Sequence, residues 1–160
     1  MADDLSARIG VLTRREVEAR LLAPLVKSLG EEFGHDRVLA VVRAGIAGIA
    51  REQGAELARR LGGNTLAHFA QSLSDWSRGG ALDIDILEQT DTAFVFSVTR
   101  CRYAELYHWL GIAELGEALS CGRDFALIEG FNNAVTLRRT QTIMGGAPYC
   151  DFAYRMPSCP

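Results

Sequence analysis

The feature that most constrains this chain is a change of hydrophobic period at Ser77-Arg78-Gly79-Gly80. Before it, apolar residues recur every three or four positions, the period of a helix. After it, "LDIDILEQ" (82–89) alternates apolar and acidic residues, the period of a half-buried strand. Both patterns sit within 160 residues, a length that suits one domain with a real core. The expectation is a single α+β domain over residues 1–160, helical over 14–76 and carrying a sheet over 82–156.

In the helical part, Thr13 followed by Glu16 has the capping-box spacing. Val17, Leu21, Leu25 and Leu29 then form a stripe up to Gly34, and Pro24 inside it should kink or split the helix. A second helix carries Val38, Val42, Ile46 and Ile49, then Leu57 and Leu61, and stops at Gly62-Gly63. Gly45, Gly48 and Gly54 weaken this helix unless they let another helix come close. "NTLAHFAQSLSDW" (64–76) predicts a third helix, capped by Asn64 or Thr65. Past the period change, "LDIDILEQ" and "TDTAFVFSVTR" (90–100) make a hairpin. "YAELYHWLG" (103–111) and "AELGEALSCGRDFALIEGF" (113–131) return to helical spacing. "AVTLRRTQTIM" (134–144) and "YCDFAYRM" (149–156) alternate again about a "GGAP" turn. Hairpin, helices, hairpin implies a four-stranded antiparallel sheet packed with the helical N-terminal half.

A net charge of -3 argues against a nucleic-acid partner. No apolar run reaches the roughly 18 residues of a membrane span. "MADDLSARIG" lacks the basic-then-apolar order of a signal peptide, so a cytoplasmic location is expected. Homo-oligomerisation is left open: the glycine stripe of the second helix serves equally as a dimer face or as packing for the protein's own sheet. Four cysteines in a chain this long are too few for a disulfide framework and read as thiols, metal ligands or a nucleophile. Cys159, in the terminal "PSCP", carries little weight.

Cys101 and Glu105 stand four apart, so on a helix they share a face, with His108 seven on from the thiol. Cys121 and Asp124 repeat the pairing at a spacing of three. Cys150 and Asp151 are neighbours on a strand and point to opposite faces. Cys101, Glu105, His108, Cys121 and Cys150 are therefore candidate ligands for a divalent metal such as zinc. Equally, a cysteine is a candidate thiolate nucleophile, activated by Arg102 or Arg123. The third reading is packing, because free cysteine is among the most buried residue types, and taken singly each thiol reads that way first. His35 and His68 read as structural.

In the last hairpin, alternation puts Thr136, Arg138, Thr140 and Thr142 on one face and Val135, Leu137, Arg139, Gln141 and Ile143 on the other. The polar row faces solvent or walls a ligand, with an arginine for a carboxylate. Arg139, among aliphatic residues, requires a partner. Phosphate-loop, serine-elbow and HExxH patterns are absent from the sequence.

Taken in order, the cysteine-led helix with Glu105, "LG…ELG", "SCGRD", "GFN", "RTQTIMGG" and "YCDF.YR" span residues 99–155. As a set they resemble the L-2-amino-thiazoline-4-carboxylic acid hydrolase family of bacteria. A fainter likeness is to 4-vinyl-reductase-type small-molecule-binding domains, which also finish in a cysteine-containing strand. The family resemblance implies a hydrolase acting on C–N or C–S bonds of a cyclic amidine or isothiourea. Its named substrate opens to N-carbamoyl-L-cysteine. Such a reaction implies Cys101 or Cys121 as nucleophile or, with Glu105 and Asp124, as metal ligand, and Glu105 or Asp124 as proton carrier. It implies Arg123, Arg138 or Arg139 against the substrate carboxylate, with Thr140 and Asp151 completing the substrate-binding candidates. The alternative is a non-enzymatic, sensor-like domain that holds a small molecule or metal in the same pocket.

Overall fold

The computed structural model describes residues 9–157. Two long helices, α1 (Val11–Phe33) and α2 (His35–Leu61), are joined at Gly34. Gly34 has φ 91°, a conformation that side chains disfavour. α1 starts two residues before Thr13, with Gly10 at its N-cap and no side-chain cap, so the Thr13–Glu16 box is not what begins it. Pro24 does not split α1. Pro24 and Arg20, the residue whose carbonyl loses its donor, are both exposed, so water can take the lost hydrogen bond.

The expected stripe of α1 faces the wrong way for a core. Val17, Leu21, Leu25 and Leu29 are 46–64% exposed, and Phe33 continues them at 60%. The buried face carries Arg15, Ala19 and Val26 instead. A strict spacing of four advances about 40° per step around a helix, so that row drifts off any one face. The small Ala19 and Ala23 let the other side lie close on the following elements.

Leu39, Ala50, Gly54 and Leu57 are the buried residues of α2. Val38, Val42 and Ile46 pack half-buried, whereas Ile49 is exposed. Gly62 closes α2 at φ 74°, as its position predicts, its N–H donating to the Ala58 and Arg59 carbonyls. The expected third helix is two short ones, α3 (Leu66–Gln71) and α4 (Leu73–Trp76). Thr65 is the cap, its hydroxyl accepting from the His68 N–H at 3.3 Å.

The sheet is antiparallel in the order β1-β2-β4-β3. β1 (Leu82–Gln89) and β2 (Ala93–Cys101) form the predicted first hairpin, with Leu82 opposite Cys101. The second hairpin is much shorter than its alternation suggests. β3 covers only Thr136–Arg138, and β4 (Cys150–Arg155) lies between it and β2. The chain leaves the ladder after Arg138 because Asp151 takes its donors. The Asp151 carboxylate accepts from the Thr140 N–H at 2.9 Å and the Gln141 N–H at 2.8 Å, where a strand would have used carbonyls.

Between the hairpins run α5 (Arg102–Trp109), α6 (Ala113–Gly116), a π-helical turn (Glu117–Cys121) and α7 (Arg123–Phe131). α7 crosses α2 with no side chain between them at the closest points. A Cβ on Gly54 would lie 2.1 Å from the Leu127 carbonyl oxygen, and one on Gly130 would lie 2.0 Å from that of Arg51. Gly45 and Gly48 meet nothing within 4 Å. Of the three glycines, Gly54 is the one that makes a close approach, and it does so within its own chain.

Two hydrophobic clusters hold the layers. One centres on Phe69, Phe94, Phe131 and Tyr154 under the sheet, the other on Ala19, Tyr103, Tyr107 and Leu119 among the helices. Each large side chain so buried contributes roughly 1.5–3 kcal/mol. Leu82, Cys101 and Ile143 pack against both clusters. Among the described residues no helix is long and apolar enough to cross a membrane.

Candidate functional site

A cavity of about 160 Å³ opens among α1, α7, the π-helical turn and the inner face of β2 and β4. Phe96, Val98, Phe152 and Leu127 form part of its apolar lining. Six residues singled out in the sequence line it together: Cys101, Cys121, Cys150, Arg123, Asp124 and Arg139.

Local structure explains how each arrives. Cys101 ends β2 and is the N-cap of α5, its sulfur accepting from the Ala104 N–H at 3.4 Å. It therefore shares no helix face with Glu105. Cys121 closes the π-helical turn, which inserts a residue into the helical path just before α7. Cys150 begins β4, buried, and accepts from the Ile143 N–H at 3.2 Å. Arg123 and Asp124 are the first two residues of α7. Arg139 follows β3 and meets them from across the cavity, donating to Asp124 Oδ2 at 2.6 Å and to the Cys121 carbonyl at 2.9 Å. Its guanidinium also stacks near the Phe125 and Phe152 rings, at 5.1 and 5.2 Å from their centroids. Arg139, on the apolar row of the sequence, thus has the partner that its burial required.

Burial sets the protonation of the site. The Asp124 carboxyl is pushed up to about 6 by burial, against the opposing pull of Arg139 and Arg123. Its side chain keeps 30% exposure, on the cavity side of an otherwise closed pair with Arg139, which keeps 7%. Burial pushes the Cys101 thiol up to about 11. It raises Cys121 further, helped by the Asp124 charge, and raises Cys150 as well. At neutral pH these are thiols, not thiolates. Arg123 is drawn down to about 10 by burial and then by the like charge of Arg15, and it donates to Gln53 Oε1.

Other sequence candidates stand apart from the cavity. Glu105 is exposed and paired with Arg100 at 2.8 Å. His108 is exposed, with Nε2 3.2 Å from the Met144 carbonyl. Arg138 is exposed on the outer row of β3. Thr140 and Asp151 are spent on each other: the hydroxyl donates to Asp151 Oδ2 at 2.7 Å. Burial would raise the Asp151 carboxyl, but the hydrogen bonds from Thr140 and Gln141 outweigh it and hold the group low. Of the candidate metal ligands, Cys101, Cys121 and Cys150 share the cavity while Glu105 and His108 stand outside it, and among the described residues no three His, Cys, Asp or Glu side chains are arranged to hold an ion.

Sequence reasoning missed the wall contributed by α1. Arg14 and Arg15 line the cavity, as do Gln53 of α2 and Tyr103 of α5. Arg15 is buried and paired with Glu18, while the buried Arg14 Nε has no hydrogen-bond partner among the described residues. The available signal was two adjacent arginines at the end of a helix's first turn, where the helix dipole disfavours cations.

Helices layered on an antiparallel sheet, with a cavity at their junction, define an α+β domain. The chain belongs to the L-2-amino-thiazoline-4-carboxylic acid hydrolase family, whose model matches residues 14–154. Among curated proteins, none matches it. Solved structures share the fold, among them two with TM-scores just above 0.5. The phenol-responsive sensory domain of the transcription activator PoxR, with phenol, aligns with a TM-score of 0.54 at 13% identity, over 85% of this chain and 73% of that one. A trafficking protein particle complex subunit 3 from Naegleria fowleri, covalently bound to palmitic acid, aligns with a TM-score of 0.52 at 11% identity, over 91% and 96%. At these identities the likeness is one of fold.

Proposed function

We propose that the protein hydrolyses a small polar heterocycle bearing a carboxylate, of the kind its family is named for. The observation that carries this reading is Asp124: a carboxyl facing the cavity, raised to about 6, beside a fixed cation. Such a group exchanges protons near neutral pH. In L-2-amino-thiazoline-4-carboxylate the ring carbon between sulfur and the two nitrogens is the electrophile. As the water oxygen bonds to that carbon, Asp124 takes one of its protons and the C=N π pair passes to the ring nitrogen. The adduct collapses by breaking the C–S bond: the hydroxyl proton ends on the ring nitrogen, the C=O forms, and the departing sulfur takes up the proton held by Asp124. One water is consumed, and N-carbamoyl-L-cysteine with a free thiol is the product. The raised thiols support attack by water over attack by a cysteine thiolate.

Incubating the protein with L-2-amino-thiazoline-4-carboxylate and following free thiol is the test. Thiol release that saturates with substrate is expected. No release from folded protein removes the substrate assignment.

A second reading, a ligand-binding domain without turnover, is favoured by the fold likeness to a phenol-responsive sensory domain and by the apolar lining of the cavity. It predicts saturable binding of the same compound with no product.

A further inference from the structure

Four guanidinium groups line the cavity, from Arg14, Arg15, Arg123 and Arg139, against one carboxyl, from Asp124. Three of the four are already engaged. Arg15 pairs with Glu18, Arg123 donates to Gln53, and Arg139 donates to Asp124 and the Cys121 carbonyl. Arg14 differs. Its Nε is buried, and among the described residues no acceptor meets it. Buried donors are nearly always paired, because leaving one unpaired forfeits its hydration with no return. A small turn of this half-buried side chain toward an acceptor in the cavity would remove that cost. A carboxylate suits the position best, since its two oxygens match the Nε and Nη donors of one guanidinium edge.

We propose that Arg14 is the anion anchor of the cavity: it holds the carboxylate of a ring acid whose ring lies on the apolar side, toward Phe96 and Phe152. The anchor is a site on α1, separate from the Asp124–Arg139 pair. It leaves that pair free for proton transfer rather than neutralising it with the ligand's own charge. The inference rests on the hydrolase reading for the choice of ligand, but its test reads binding alone.

The probes are 2-aminothiazole-4-carboxylate, an aromatic analogue that does not open, and its 4-carboxamide. Calorimetric titration of the full chain is expected to show the carboxylate bound at least roughly tenfold more tightly than the amide, the worth of one charge-assisted hydrogen bond. Arg14→Gln is expected to erase that ratio, the carboxylate losing far more affinity than the amide. Arg14→Lys keeps the charge but loses Nε, and is expected to give an intermediate ratio. A folded Arg14→Gln or Arg14→Lys that keeps the wild-type ratio overturns the proposal, as does wild-type protein that binds the two probes equally or binds neither. If the ratio depends on Arg14 and yet the thiazoline carboxylate releases no thiol, the anchor stands and the hydrolase reading falls.

Discussion

The two walls of the cavity differ in kind. The wall from α1 offers cations and no proton acceptor: Arg14 and Arg15. The wall from the sheet, the π-helical turn and α7 offers groups that gain or lose protons, namely Asp124 and three thiols, with Arg139 as counter-ion. On the proposed reading, one wall holds charge and the other moves it. Family-specific strings such as "SCGRD" and "RTQTIMGG" fall on the second wall, whereas the first is carried by a helix of ordinary texture.

The sharpest way to break this contrast is at Asp124. Asp124→Asn is expected to lower kcat/KM by roughly 10²–10⁴-fold, the usual worth of a positioned acid or base, with ring-acid binding retained. In the wild type kcat/KM is expected to rise with pH through about 6 and then level, because the ionised carboxylate is the base. The same group affects stability with a definite sign. Its folded value of about 6 lies above the 3.8 of an unperturbed aspartate, so between these values the native state holds more protons than the unfolded chain. That contribution to stability is present at low pH and is lost as pH rises from about 4 to 6. Urea midpoints across this window should slope less in Asp124→Asn.

Arg139→Gln comes next in size. Without its counter-ion the Asp124 carboxyl titrates higher, so the acid limb of the pH–rate profile should move upward and activity at pH 7 should fall roughly tenfold. An unmoved limb would detach Arg139 from the proton-carrying group.

Smaller effects are expected from the thiols. Cys101→Ala and Cys121→Ala should each keep turnover within about fivefold and cost about 1 kcal/mol in urea unfolding, as ordinary buried truncations do. Either variant, folded but inactive, would convert the second wall from acid–base to nucleophilic chemistry. Glu105→Gln should change neither turnover nor the urea midpoint measurably, since Glu105 lies in an exposed pair with Arg100 outside both walls.

Much of this was legible because period survives folding. The switch near Gly79 marks where helices give way to sheet, and the first hairpin runs where alternation puts it. What misled was pattern without context. The row Val17, Leu21, Leu25, Leu29 reads as a core stripe, yet the alanines between its members are what allow close packing. Cys101 and Glu105 share a face only if both lie within one helix, and the helix starts one residue too late. Alternation through Thr140 and Gln141 ignores that an aspartate ten residues on can take over their backbone donors. The cysteines, Asp124 and Arg139 converge through tertiary structure, and spacing along the chain gave their types but not their company. Arg14 and Arg15 were passed over because a charged pair near a helix start looks like solvated surface until the rest of the fold closes over it.

The α2–α7 crossing has a consequence for redesign of specificity. Arg123 and Asp124 ride on the helix that carries Gly130, and that helix is seated on α2 with carbonyl oxygens where methyl groups would have to be. This seam has no slack, so a bulkier ring cannot be accommodated by easing α7 outward. Room has to come from trimming side chains on α1 or on the sheet. Even an alanine at Gly54 or Gly130, neither of which lines the cavity, would shift Asp124 as surely as a substitution in the cavity itself.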